Sequence, residues 1–426
     1  MGCISTICMA VFLSCASLCQ AQQAGGSTPD GGDATGSKDA PAAVAGIVQR
    51  ALTLEQQGKY PAAAKAWENV IQLQPRNARA YAQLGLIEAR LEQYPQAIAH
   101  YRKAEALAQA QNQPIPQLNL NLGLALFKSG DFQEAAKTFE AELSKHPNAA
   151  NKQKLTELAA MAHYGAHEYS AAIPYLKDAE SGDPRNLTLL LTLAHCYLWT
   201  KQLDAVLEVY KQILLINPDS AAADMIAGEA LDEKGDKTGA VEQFRAAEKA
   251  NPKEPNVHFG LAYLLWTDKK YDEAISEFKA ELENDPNNNQ AMIYLGDAYV
   301  RQGKFDQGKA VLEKADQYQT SDPLIHLDLG IVHMESGDNG AALKELQKAV
   351  TLEPDNITAH FRLATLYRSM GKKEEARVEF AKANSLNKKR DDSVHERIAA
   401  ANARPNTATQ PAQPQKPDAG AKPDQP

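Results

Sequence analysis

The sequence predicts an all-α fold, a solenoid of about ten helix hairpins followed by one capping helix. Three observations carry this. A pattern of small and apolar residues returns every 34 residues over most of the chain. Within each period apolar residues fall three and four apart on both sides of a Gly-Asp turn, the spacing of two amphipathic helices, A and B. A proline near the end of the period closes helix B, because it lacks the amide hydrogen a helix needs.

The clearest copy is 221–254, AAADMIAGEALDEKGDKTGAVEQFRAAEKANPKE. Ala227, Gly228, Leu231, Gly235, Ala240, Phe244, Ala247 and Pro252 stand at repeat positions 7, 8, 11, 15, 20, 24, 27 and 32. The next block matches them with Leu261, Ala262, Leu265, Lys269, Ala274, Phe278, Glu281 and Pro286, so only the turn Gly and one Ala change class. This pattern resembles the tetratricopeptide repeat (TPR). In that family small residues at 8, 20 and 27 let helices approach, and larger ones at 4, 11, 17 and 24 fill the gaps. Ten copies start at Val44, Ala78, Pro116, Gln153, Leu187, Ala221, Pro255, Asn289, Pro323 and Ile357, and six of them run without a gap from Leu187 to Arg390. The earlier copies are offset by about four extra residues near Asn112–Ile115 and about three at Ala150–Lys152, so the resemblance covers about four fifths of the chain. It implies a right-handed superhelix with helix A lining the concave side, and it names no ligand.

Taken in order, residues 1–29 carry no charged side chain, and Ile4–Cys19 is an apolar run of the length of a signal-peptide core rather than a transmembrane helix. Cleavage after Ala21 would leave an exported protein of the periplasm or cell surface, without a membrane span. The competing reading is a lipoprotein acylated at Cys15 or Cys19, although Phe12-Leu13-Ser14 and Ala16-Ser17-Leu18 are poor lipidation tripeptides. Four of the five cysteines lie in this leader, so the mature chain would keep only Cys196, at position 10, as a packed thiol with no disulfide. A Gly-, Ser- and Asp-rich linker, 22–43, joins the leader to the repeat array, 44–390. The net charge of −9 argues against nucleic acid as a partner, since phosphates need a basic face. The weakest copy is Gln153–Asn186, with Thr156, Ala160, His163 and His167 at positions 4, 8, 11 and 15 and Pro174 in its second helix, so this hairpin is expected to pack less regularly and to open first. A separate helix, 391–403, N-capped by Asp391 or Asp392, should cover the last hairpin, and the Pro-, Ala- and Gln-rich 404–426 should be disordered.

Several groups imitate chemistry. Gly303–Lys309 copies a phosphate-binding loop, but Ala310 stands where a magnesium-holding Ser or Thr belongs, and no strand precedes it. His167-Glu168 and His395-Glu396 begin like a zinc-protease motif that Ala171 and Ala399 fail to complete. His163 and His167 are one helical turn apart with no acidic or thiol partner evident, so packing is preferred to a shared metal. His258, His326 and His360 recur at position 4 and read as core substitutes. No metal, cofactor or catalytic residue is expected.

The surface expected to carry function is the inner face of the A helices, which the resemblance places at positions 2, 5, 9 and 12. Position 5 is apolar in nearly every copy. Candidate partner-binding residues are Leu120, Leu124, Phe127, Leu191, His195, Leu198, Trp199, Phe259, Tyr263, Trp266, Ile293, Leu327, Ile331, Met334 and Phe361, with aromatic anchors most prominent. Glu229, Asp232 and Asp297 would add orientation, and the alternative is that this surface packs neighbouring A helices together. The family's carboxylate clamp needs Lys and Asn at positions 5 and 9, which hold neither here. The expected function is a non-catalytic scaffold that binds an extended or helical protein segment in a concave groove, in envelope assembly or maintenance. The alternatives are an accessory subunit of an envelope enzyme complex, or glycan or small-molecule binding by the aromatic groove.

Overall fold

The computed structural model describes residues 40–147, 150–318 and 321–403; the leader, residues 22–39 of the linker and the C-terminal tail lie outside the described residues, and the last four linker residues, 40–43, already belong to the first helix. Among the described residues every regular element is a helix, and the chain divides into two compact units, 1–286 and 287–426.

The first unit holds seven hairpins: α1 (Ala40–Gln56) with α2 (Tyr60–Leu73), α3 (Ala78–Arg90) with α4 (Tyr94–Gln111), and α5 (Leu118–Ser129) with α6 (Phe132–Lys145). They continue with α7 (Lys152–Gly165) and α8 (Tyr169–Gly182), α9 (Leu187–Trp199) and α10 (Leu203–Ile216), α11 (Ala221–Glu233) and α12 (Lys237–Ala250), and α13 (Val257–Thr267) and α14 (Tyr271–Asn284). The second unit holds three: α15 (Asn289–Arg301) with α16 (Phe305–Asp316), α17 (Pro323–Glu335) with α18 (Asn339–Leu352), and α19 (Ile357–Ser369) with α20 (Lys373–Ala403). Odd-numbered helices are A and even-numbered ones B. Every A helix begins within four residues of the start read from the sequence.

The repeat positions have direct physical meaning. All ten residues at position 15 have positive φ: Gly58, Gly130, Gly235, Gly303, Gly337 and Gly371, together with Glu92, His167, Lys201 and Lys269. The A-to-B turn thus demands a left-handed residue, which explains the recurrent Gly. Position 8 is small because the position-24 side chain lies on it. A Cβ on Gly228 would come within 2.8 Å of the Phe244 ring, and one on Gly260 of the next helix within 2.2 Å of the same ring. Phe244 is therefore clamped between α11 and α13. Asn77, Asn186, Ser220, Asn288, Asp322 and Asn356 close the N-termini of their A helices with side-chain caps.

The helix α7 follows Asn151 without a side-chain cap, and two further A helices depart from the pattern in backbone as well. Those of the copies starting at Pro116 and Pro255 begin after a left-handed Gln117 or Asn256 whose side chain makes no cap. In both, position 27 is Glu instead of Ala. Buried Glu281 accepts from Phe259 N (3.1 Å), and Glu142 accepts from Asn119 Nδ2 (2.8 Å). The exception at Glu281 is thus a substitute cap, a carboxylate placed where the helix dipole favours it.

Two expectations need correction. The cap expected at 391–403 is not separate: α20 runs without interruption from Lys373 to Ala403. That stretch has neither Gly nor Pro, and Ser393 Oγ donates back to Arg390 O (2.8 Å) instead of starting a new helix. Nor is the fourth hairpin loosely packed. Leu155, Ala159, Ala160, Ala172, Leu176 and Ala179 are all buried. Pro174 does lie inside α8, but it and Ser170, whose carbonyl it leaves without an amide partner, are both exposed, so the missing bond lies outside the buried core.

Candidate functional site

Successive A helices touch one another, α9 with α11 and α11 with α13 in the first unit, α15 with α17 and α17 with α19 in the second. Their shared face holds positions 5, 9 and 12, and burial sorts the candidates along it. Leu120, Phe127, His195, Leu198, Phe259, Ile293 and Leu327 are buried, and they pack. Leu124, Leu191, Tyr263, Trp266, Ile331 and Met334 are half-buried and still offer surface. Position 5 is buried on α5, α13, α15 and α17 and builds the A-helix packing there, while positions 9 and 12 keep an open strip on α13 and α17; on α9 the residues at those two positions, His195 and Leu198, are buried instead.

On α13 that strip is aromatic. The rings of Phe259 and Tyr263 lie 6.4 Å apart and nearly parallel, and those of Tyr263 and Trp266 5.8 Å apart, so a row of π-faces runs along one helix. Trp199 and Phe361, both exposed, are placed differently. Trp199, at position 13, stacks at 5.5 Å on Tyr169 of the preceding repeat, near the A-to-B turns. Phe361 meets Phe380 of α20 edge to face, with Arg368 over that second ring.

The polar members of the strip divide in two. Asp297 was expected to orient a partner, but it is fully buried, its Oδ2 accepts from Arg301 Nε (2.6 Å), and Asp328 lies beside it. Burial, with the Asp297 charge adding to it, pushes the Asp328 carboxyl well above the usual carboxylate range. Glu229 and Asp232 on α11 differ: both are half-buried, and neither makes an ion pair or a hydrogen bond among the described residues. Burial pushes the Glu229 carboxyl up to about 8, with Glu233 adding to the rise and Lys201 opposing it. On α9, His195 is buried with Nδ1 unpartnered, and burial brings its ring down to about 4.

The histidines read as core substitutes form a recurring bond that sequence reasoning missed. His258, His326 and His360 at position 4 each bond through Nδ1 to the Glu at position 23 of the same hairpin: Glu277 at 2.8 Å, Glu345 at 2.8 Å and Glu379 at 2.5 Å. The signal was present as a His and a Glu nineteen residues apart in three copies. Glu248 joins His258 and Glu277 to place three ligand-type atoms within 4.8 Å of one another. The same His–Glu bond at His360, where the position of Glu248 is Val350, marks it as a packing element. His163, expected to lack an acidic partner, has two: Glu168 at 2.8 Å from Nδ1 and Glu140 at 3.0 Å from Nε2, with Tyr175 stacked on the ring and donating to Glu140. His167 is a turn residue at φ 60° and bonds the Tyr169 hydroxyl, so the two histidines serve separate ends of the hairpin. Cys196 is buried in the core, as its position implies. No described helix is long and apolar enough to cross a membrane.

Comparison with known proteins agrees with the repeat geometry. Two tetratricopeptide repeat families match, one at residues 163–230, 265–327 and 333–400 and the other at 48–114, 120–151 and 227–289. The chain belongs to the tetratricopeptide repeat proteins. It is similar to anaphase-promoting complex subunit 3 of Schizosaccharomyces pombe, 23% identical over 71% of this chain and 46% of that one. It is also similar to a BBSome complex member BBS4 homolog of Drosophila melanogaster, 20% identical over 72% of this chain and 64% of the other. A crystal structure of a tetratricopeptide repeat protein from Parabacteroides merdae is 19% identical with a TM-score of 0.44, covering 58% of this chain and 97% of that one. The chain spans roughly half of the length of the curated relatives it matches.

Proposed function

We propose that the chain is a non-catalytic scaffold that binds a protein segment, extended or helical, along the open strip of its A helices. The observation that carries this is the aromatic row on α13, where Tyr263 and Trp266 keep part of their rings in solvent although Phe259 beneath them is buried. Large, rigid aromatic faces on a pre-formed surface are what partner segments use as anchors. Two of the curated relatives are, by their names, members of multi-protein complexes, which fits an assembly role. We further propose export to the periplasm or cell surface and a part in envelope assembly, on the strength of the apolar run Ile4–Cys19.

The test is a photo-crosslinking residue placed at Tyr263, or at Met334 in the second unit, in the native cell, with crosslinked species identified by mass spectrometry. A discrete protein adduct from these sites, and none from the exposed B-helix position Glu242, is the expected result. Adducts of equal yield from all three sites would sink the binding strip. N-terminal sequencing of the purified protein tests export, since a mature end near Gln22 is expected and an intact Met1 would overturn it.

A further inference from the structure

Between the aromatic row of α13 and the apolar surface of α9, the strip on α11 carries two carboxyl groups that the fold leaves unused. Glu229 and Asp232 stand at positions 9 and 12, in register with His195 and Leu198 on α9 and with Tyr263 and Trp266 on α13. Other charged side chains nearby are satisfied: Lys201 pairs with Glu233, Lys234 with Asp204, and Asp224 accepts from the Tyr210 hydroxyl at 2.8 Å. Glu229 and Asp232 have no such partner. A half-buried carboxyl that makes no ion pair or hydrogen bond costs folding energy, and one kept in the middle of an apolar strip can receive a cation.

We propose that this strip takes a protein segment bearing a basic side chain, whose cation is received by Glu229 and Asp232 while its alkyl stem lies along Tyr263 and Trp266. This rests on the binding role proposed above and specifies the partner's chemistry. Aromatic faces beside paired acids suit Lys or Arg on two counts: the carboxylates neutralise the charge, and the rings cover the stem and attract the cation through their quadrupoles. An acidic segment would bring its negative charge against the acids of α11 and is disfavoured at the same place. His195, neutral near pH 7 and with Nδ1 unpartnered, adds no positive charge to repel the guest.

The surroundings of Glu229 make binding report on its proton. The charged groups acting on it are Glu233 on its own helix and Lys201 after α9; burial and Glu233 hold its carboxyl up at about 8, against the opposing pull of Lys201. An arriving cation favours the charged form, so the proton leaves as the segment docks.

The experiment uses the folded chain and two short labelled peptides, one of alternating leucine and lysine and one of alternating leucine and glutamine, read by fluorescence anisotropy and calorimetry. The lysine peptide is expected to bind more tightly, to lose roughly tenfold or more in the E229Q/D232N double variant, and to keep its affinity in E208Q/E242Q, which removes at least as much negative charge from exposed B-helix positions. Calorimetry in buffers of different ionisation enthalpy should register release of about one proton near pH 7, absent in E229Q. Equal losses in the two double variants would mean bulk attraction to an acidic protein and would overturn the proposal. If the glutamine peptide binds as well as the lysine peptide, and Trp266→Ala abolishes both, the cation site is wrong while the binding strip stands. If neither peptide binds, the basic-guest proposal falls, and crosslinking at Tyr263 and Met334 decides the binding strip on its own.

Discussion

The fourth and sixth hairpins close the same geometry with different chemistry. In the sixth, the Phe244 ring fills the space between Gly228 and Gly260, with Leu231 at position 11 and Gly235 at the turn. In the fourth, the corresponding residues are Ala160, Leu176, His163 and His167, and hydrogen bonds do part of the work: His163 sits between Glu168 and Glu140, and Gln153 Nε2 donates to Ala179 O at 2.7 Å. Both hairpins bury their cores. Repeat position therefore fixes which volume must be filled, and leaves open whether a ring or a hydrogen-bonded network fills it.

The largest test of that difference is Phe244→Ala. The ring is 4% exposed and touches two glycines that cannot close over the gap, so the loss should be about 3–5 kcal/mol, at the upper end for a buried aromatic. Leu176→Ala in the fourth hairpin should cost less, about 2–3 kcal/mol. Urea denaturation of both variants measures the pair, and equal losses would show that the ring between glycines confers nothing special.

Next comes His163→Ala, which removes two bonds to carboxylates and the stack on Tyr175. An expected cost of about 2–3 kcal/mol follows from hydrogen bonds to charged groups. Hydrogen exchange should then show α7 and α8 opening before α11 and α12, because each hairpin of a repeat array depends on its own contacts and its neighbours'. If protection stays uniform, the network is dispensable. The missing bond at exposed Pro174 should by contrast change little, and Pro174→Ala gives a small gain from a better helix former.

Much of this was legible in the sequence. The period, the ten hairpin starts and the turn at position 15 follow from residue types that recur every 34 residues, because they answer to local constraints such as left-handed backbone or small volume. The partners of the histidines were less legible. A bond from position 4 to position 23 joins helices across the hairpin, and both residues have ordinary exposed alternatives when viewed alone. The same holds for Glu281, whose role appears only once Asn256 is seen to be left-handed and unable to cap its helix. On the binding strip, position 9 and 12 residues were identifiable as a face. What composition could not separate was Asp297, consumed inside by Arg301, from Glu229, which makes no ion pair or hydrogen bond.

A third prediction uses position 9, which is Met161 in the fourth hairpin and Glu229 in the sixth. The unfolded chain releases the Glu229 proton near 4.5 and the folded chain near 8. The folded state therefore binds the extra proton between these values, and stability contributed by this group, complete below about 4.5, is lost as pH rises through about 8. Glu229→Gln should remove that share of the slope, and Glu229→Met should make the sixth hairpin as indifferent as the fourth. Solvent reaching the half-exposed carboxyl keeps the effect smaller than either core variant. Thermal melts at a series of pH values decide it: parallel curves for the parent and Glu229→Gln would mean that the group is solvated and titrates normally.

The smallest effect lies at the turn, where the fourth hairpin places His167 at φ 60° and the sixth places Gly235 at φ 85°. A side chain in the left-handed region crowds its own carbonyl, at a cost of about 1 kcal/mol, so Gly235→Ala should lose about that much. Nothing lies within 4 Å of the added Cβ, so the loss would come from the backbone alone. His167→Gly is the reverse exchange, and it relieves the same strain. It also removes the 2.8 Å bond to the exposed Tyr169 hydroxyl and adds entropy to the unfolded chain. Those two losses nearly offset the gain, so the melting temperature should stay within a degree or two. The asymmetry is the informative outcome. A large gain in His167→Gly would mean that the histidine contributes only strain and that the fourth hairpin tolerates it, whereas a loss matching that of Gly235→Ala would make the His167–Tyr169 bond part of what holds this hairpin closed.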